Sequence, residues 1–233
     1  MLSATPTTAA GWAQPAEDRR ELAPGLVFSG TAARFVAYTI DGILVALVGG
    51  VITSTIGSGA AFDPRGGLIW TTGDFVASIL TVAINGAYFI AFWSGGRRAT
   101  LGQMLIKIQV GNAFDGKSLT LEQAVRRWLG LGQFLGVFAV SAAAVGLIGL
   151  LSLVWTIVLF ISTVSSPTKQ GLHDRFANTA VVRPANAGNG LIYTCLFVFI
   201  LLPLLAVLAV VSLVIIGSQV SGILSTVGES VQP

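Results

Sequence analysis

The residue in this sequence most able to carry chemistry is an acid in an apolar run. Asp41 is the one charged residue between Phe35 and Ile56. A charge near the centre of a membrane helix costs about 2.5–3.5 kcal/mol on insertion scales, so such a group is usually paired or functional. Asp41 lies about six residues into the run, or roughly 9 Å deep at 1.5 Å per residue. Arg34, seven residues earlier, falls on the same helical face, because seven residues make about two turns. Two readings of Asp41 stand open: a structural acceptor for a polar group on a neighbouring helix, or a site for a proton or cation. Asn85 and Gln133 sit at a comparable depth in their own apolar runs. With Asp41 they are expected to form one polar layer about 8–12 Å from the cytoplasmic face. Such a layer is either interhelical glue, at about 0.6–2 kcal/mol per bond, or the lining of a cation or proton site.

Other chemistry finds little support. One His and one Cys cannot build a usual zinc or thiolate site. A lone Cys195 also excludes an internal disulfide, and its apolar surroundings fit a packing residue. No GxxxxGK[ST] phosphate loop is present. Ser58, Ser78 and Ser141 have no base at a motif spacing, which a nucleophile requires. The chain is therefore expected to be no enzyme and to carry no metal or cofactor.

The elements that must position these residues follow from composition. Charged residues make up 10% of the chain and apolar ones 54%, too few charges to cover a soluble surface. A span needs roughly 20 mostly apolar residues, and several runs reach that length. The expected fold is an all-α polytopic transmembrane helix bundle of about five spans, with a small cytoplasmic hairpin element. Spans are expected at about Phe35–Ile56, Asp74–Trp93, 125–145, 148–165 and 190–216. The third and fourth come from dividing the uncharged stretch Trp128–Val164 near Ala144–Gly149, which is too long for one crossing. Trp70 and Trp93 flank the second span, as aromatic residues do at headgroup level. Gly42 with Gly49, and Gly132 with Gly136, offer small faces for close helix approach. Pro203 should kink the last span, and the tail beyond Gly217 reads as polar and mobile.

Between the second and third spans, Ile106–Val110 reads as a strand and Asp115-Gly116 as a turn. Thr120 and Gln123 have the spacing of a capping box. Residues 1–28 read as a flexible cytoplasmic arm, residues 29–183 as the main membrane domain with four spans, and residues 184–233 as an added span and tail. Five spans place twelve of the 13 Lys and Arg on one side and Arg65 alone on the other. The positive-inside rule then puts the N-terminus in the cytoplasm. The pI near 9.4 thus reports cytoplasmic loops and no nucleic-acid partner.

The segment Ala33-Arg34-Phe35-Val36-Ala37-Tyr38-Thr39-Ile40-Asp41 resembles the first element of the RDD family of membrane proteins, named for one Arg and two Asp. The stretch Gln170-Gly171-Leu172-His173-Asp174-Arg175, followed by Ala177-Asn178-Thr179, is similar to that family's Gln-x-x-x-Asp-x-x-Ala-x-Thr element. Ala99-Thr100-Leu101-Gly102-Gln103 and Ser118-Leu119-Thr120 resemble its central loop. The resemblance covers about residues 28–183 and marks Arg34, Asp41 and Asp174 as the motif residues. It implies a bacterial inner-membrane protein related to proteins proposed to transport unidentified ligands. Two further expectations follow: Arg34 pairs with Asp174, and Thr179–Val182 pairs with Ile106–Val110 as strands.

Two functions are carried forward. The first is binding or transport of a small ligand, cation or proton around Asp41. The second is a non-transporting scaffold or accessory subunit. Beyond the lipid bilayer, the partner is either a second copy of the chain or another membrane protein.

Overall fold

The structure, a computed structural model, describes residues 21–57, 71–138 and 141–230. It divides into two units, residues 1–187 and 188–233. In the first, two short strands, β1 (Glu21–Ala23) and β2 (Leu26–Phe28), lead into helix α1 (Thr31–Ile56). Helix α2 (Thr72–Ser94) follows, opened by a capping box in which Thr71 and Asp74 satisfy each other's amides. Two short elements come next, helix α3 (Leu101–Leu105) and strand β3 (Gln109–Asn112). Helix α4 (Leu121–Gly130) begins at the expected Thr120–Gln123 box. Helix α5 (Ala142–Ser165), the short α6 (Leu172–Phe176) and strand β4 (Thr179–Pro184) complete the unit.

The strands form one antiparallel sheet in the order β1-β2-β4-β3. Val110 faces Val181 and Asn112 faces Thr179 across the β3–β4 pair. The expected pairing of these segments is therefore present, with the first strand shifted to begin at Gln109. Residues 21–28 are strands of this sheet rather than part of a flexible arm; residues 1–20 lie outside the described ones. The turn at Asp115-Gly116 is present, and Gly116 has φ +68°.

Among the described residues, four helices are long and apolar enough to cross a membrane: Thr31–Ile56, Thr72–Ser94, Ala144–Ser165 and Gly190–Val214. The count is close to the expected five or so, and the difference lies in the third span. The helix expected over 125–145 ends at Gly130 and gives way to a 3-10 segment over Gln133–Phe138. The break has a local cause. Gly132 adopts φ +76°, a left-handed conformation that ends helices, and its amide bonds back to the Leu129 carbonyl. These shorter pieces still run along α2, against its direction. Trp128 lies against Gly86, and Gly136 lies against Val82. The chain thus runs back along α2 as far as Val82, but as a broken path.

Of the four glycines proposed for close packing, Gly49 lies against Thr81 and Gly136 against Val82, Gly132 faces the Trp155 side chain, and Gly42 faces open space. Apolar side chains on the long helices point outward in rows (Leu47, Val51, Leu150, Leu153, Ile157), as lipid-facing surfaces do. The buried core gathers at the sheet end instead, around Val36, Val110, Ala124, Val181 and Val182. Trp93 belongs to that core at 2% exposure. It is not the interface residue expected from its position; Trp70 lies outside the described residues.

In the second unit, helix α7 (Gly190–Ser230) runs on through Pro203. It also takes in the segment after Gly217 that reads as a polar tail.

Candidate functional site

Asp41 is 1% exposed and fully engaged. Its Oδ1 accepts from the Tyr88 hydroxyl at 2.7 Å and from the Gly102 amide at 2.8 Å. Its Oδ2 accepts from the Thr100 hydroxyl at 2.5 Å. The Tyr88 oxygen in turn accepts from the Leu101 amide at 3.0 Å. The carboxylate thus receives the first free amides of α3, directly and through Tyr88, where a helix start has unpaired donors and a positive dipole end. Thr100 doubles as the N-cap of α3 in a box with Gln103. Position 102 admits only glycine, because a Cβ there would stand 2.3 Å from the Ala37 carbonyl oxygen.

Asp174 forms a second centre at the sheet end, with 0% exposure. It accepts from Arg34 Nη1 at 2.6 Å, from Arg127 Nη1 and from the Gly171 amide at 3.1 Å. The expected Arg34–Asp174 pair is present. Arg34 also donates from Nε to the Ser29 carbonyl and from Nη2 to the Val181 carbonyl, which fastens α1 to the sheet. Arg127 also donates to the Thr179 hydroxyl at 2.7 Å and lies 4.9 Å from the centroid of the Trp93 ring, within cation–π range. Trp93 Nε1 donates to Gln103 Oε1 at 3.1 Å. The two acidic centres are therefore joined through Arg127, Trp93, Gln103 and Thr100.

Burial works to raise the Asp174 carboxyl, but Arg127 and Arg34 beside it hold it well below the usual carboxylate range. Burial pushes the His173 imidazole down to about 4, against the pull of Asp174 and with the help of the two guanidiniums. His173 is accordingly neutral at neutral pH.

Asn85 and Gln133 are not hydrogen-bonded to Asp41. Asn85 accepts from Trp128 Nε1 at 2.8 Å, and Gln133 donates to the Tyr38 hydroxyl at 2.8 Å; neither contact involves Asp41. The broken third path turns Gln133 toward Tyr38, and the donors from α2 and α3 leave Asp41 no need of it. Ser78 bonds to the Asp74 carbonyl and Ser141 caps α5, so neither faces a base; Ser58 lies outside the described residues. Among the described residues, no group of three His, Cys, Asp or Glu is placed to hold a metal.

Two cavities lie along this network. The first, about 160 Å³, is bounded by Arg34, Asp41, Trp93, Arg127 and His173, with apolar walls from Phe35, Phe89 and Leu159. The second, about 360 Å³, lies among Asn85, Gln133, Thr81 and Ser152. Tyr38, Leu131 and Thr156 line both. The residues Asp41, Asn85 and Gln133 are thus distributed over adjoining cavities.

Sequence reasoning missed Arg127, which looked like one more loop cation. Its signal was the Thr120–Gln123 box, which starts a helix and places Arg127 two turns on, beyond reach of solvent. Tyr88 and Thr100 were missed as well. Thr100 and Gln103 have the same three-residue spacing as Thr120 and Gln123, and that repeat marks both helix starts.

This arrangement defines a multi-pass helical membrane protein with a buried, charge-paired junction at one end of its helices. The sequence matches the RDD family over residues 28–178, well over half of its length. The chain belongs to the RDD family. Arg34, Asp41 and Asp174 all lie inside the matched region. No curated protein and no solved structure matches the chain.

Proposed function

We propose that this RDD protein is of transport type and takes a small ligand into the paired cavities between α1, α2, α4 and α5. The observation that carries this reading is the shared wall of Tyr38, Leu131 and Thr156. It sets a charged cavity at the sheet end against a polar one farther along the helices. Buried polar groups away from water are costly unless they serve a pathway or each other. Here Gln133 Oε1 has no partner, and a solute or water passing the second cavity supplies one. By the positive-inside rule the sheet end faces the cytoplasm of a bacterial inner membrane. Asp41 then acts chiefly as the anchor of α3 and as the inner wall of the first cavity.

Flux measured in proteoliposomes tests transport. Sodium and protons are the first probes for a coupling ion, because Asp41 is an acid in the wall of the first cavity. Uptake reduced in Asp41→Asn, with accumulation kept, supports transport through the site. Loss of accumulation alone removes the ion-handling role of Asp41.

A second reading, the accessory subunit, is favoured by exposed apolar side chains on the sheet-end elements. Phe114 is 78% exposed in the β3 turn, and Leu121 and Phe176 are exposed on α4 and α6. No flux with either ion, together with co-purification of one membrane partner, would support it.

A further inference from the structure

We propose that the first cavity binds a small organic acid, with a monocarboxylate head beside Arg127 and an apolar body along α1 and α5. This deepens the transport reading and rests on it. Charge is the first ground. Arg34 and Arg127 share a single carboxylate, Asp174, and burial keeps His173 neutral. By direct contact, the cluster therefore sets two guanidiniums against one carboxylate. Asp41 lies in the wall of the same cavity, but its oxygens are taken by Tyr88, Thr100 and Gly102, so it gives Arg127 no acceptor. A bound monocarboxylate gives each of the two guanidiniums a carboxylate of its own.

Hydrogen bonding is the second ground. Arg127 is 4% exposed and lines the cavity, yet its Nε donates to nothing. Most buried donors find an acceptor, and a carboxylate oxygen is a strong one for a guanidinium. Shape is the third. At about 160 Å³ the cavity is smaller than the roughly 300–1,000 Å³ of drug-sized pockets. Phe35, Phe89, Leu159 and Phe160 give it apolar walls. A head with a few carbons fits that space, and a diacyl lipid does not.

The experiment is equilibrium binding of octanoate to the full-length protein in nanodiscs, with empty nanodiscs subtracted. Octanol and octylamine serve as uncharged and cationic controls. Octanoate should bind saturably and the controls should not. Arg127→Lys keeps the charge but loses the Nε donor, and should weaken binding at least about tenfold. Leu159→Trp fills the cavity while leaving every charged residue in place, and should abolish binding, which covers the case in which Arg127→Lys fails to fold. Equal binding of octanoate and octanol overturns the acid head. Octanoate binding that disappears when phosphatidylglycerol replaces phosphatidylcholine assigns the charge to a lipid headgroup and also overturns the proposal. A cysteine placed at Thr156 separates the two levels. If a water-soluble thiol reagent reaches it but octanoate does not bind, the acid is wrong and the cavity stands. If the reagent cannot reach it, the transport reading itself fails.

Discussion

Asp41 and Asp174 are both buried acids, but they are satisfied in opposite ways. Asp41 accepts from three neutral donors, whereas Asp174 is held by two guanidiniums. Substitution should tell them apart. Asp41→Asn retains an oxygen for Tyr88 and Gly102 but loses charge assistance. It should lower stability by about 1–3 kcal/mol, and Asp41→Ala should cost more, because three donors lose their acceptor. Thermal unfolding in mild detergent measures both, and an unchanged midpoint for Asp41→Asn would contradict the anchor role. Asp174→Asn leaves two buried cations facing each other and should cost about 3–5 kcal/mol. Arg127→Met leaves the Arg34–Asp174 pair intact and should cost less; the reverse order would contradict the sharing of Asp174 by two guanidiniums. His173 sets a pH dependence. Its folded value, about 4, lies below its ordinary 6.5. The unfolded chain therefore takes up the proton first, and the His173 contribution to stability is complete above pH 6.5 and declines as pH falls toward 4. Asp174 acts in the same direction, but only below its ordinary 3.8. Unfolding midpoints from pH 7.5 to 4.5 should fall in the native protein and fall less in His173→Gln.

At the level of elements, the short pieces do the positioning. Helix α3 is five residues long and cannot be stable alone, yet it brings Thr100 and Gly102 to Asp41. The Arg34–Asp174 pair was legible from two motif elements 140 residues apart, because both fall at the sheet end of their helices. The path between α4 and α5 was not. An uncharged stretch reads as one continuous apolar run whether or not it is helical, and only a left-handed glycine reveals the break. Gly132→Ala tests this directly. Its Cβ would meet Trp155 at 2.8 Å with φ at +76°, so the variant should lose about 1–2 kcal/mol from the left-handed backbone alone. Gly42→Ala, in open space on α1, should be neutral or slightly stabilising. Equal effects at the two positions would contradict the break.

Over the whole molecule, hydropathy made the membrane class plain and the Lys and Arg distribution gave an orientation. Neither could place Trp93, which has the sequence position of an interface aromatic but is drawn inward by Arg127 and Gln103. Depth along a helix was readable from residue counts, but rotation about its axis was not. For that reason the bonds of Asn85 and Gln133 to Trp128 and Tyr38 could not be read from their depth. The central functional claim is that polar, accessible space lies between α1 and α5. The most direct measurement compares modification of two cysteines on α5 by a negatively charged methanethiosulfonate, in full-length Cys195→Ser protein in nanodiscs. Thr156→Cys lines both cavities, while Leu153→Cys is exposed on the outer surface and lines neither. Thiolate formation needs water, so the cysteine at 156 should react at least about tenfold faster than the one at 153. Equal rates, or no reaction at 156, would contradict a ligand-accessible site.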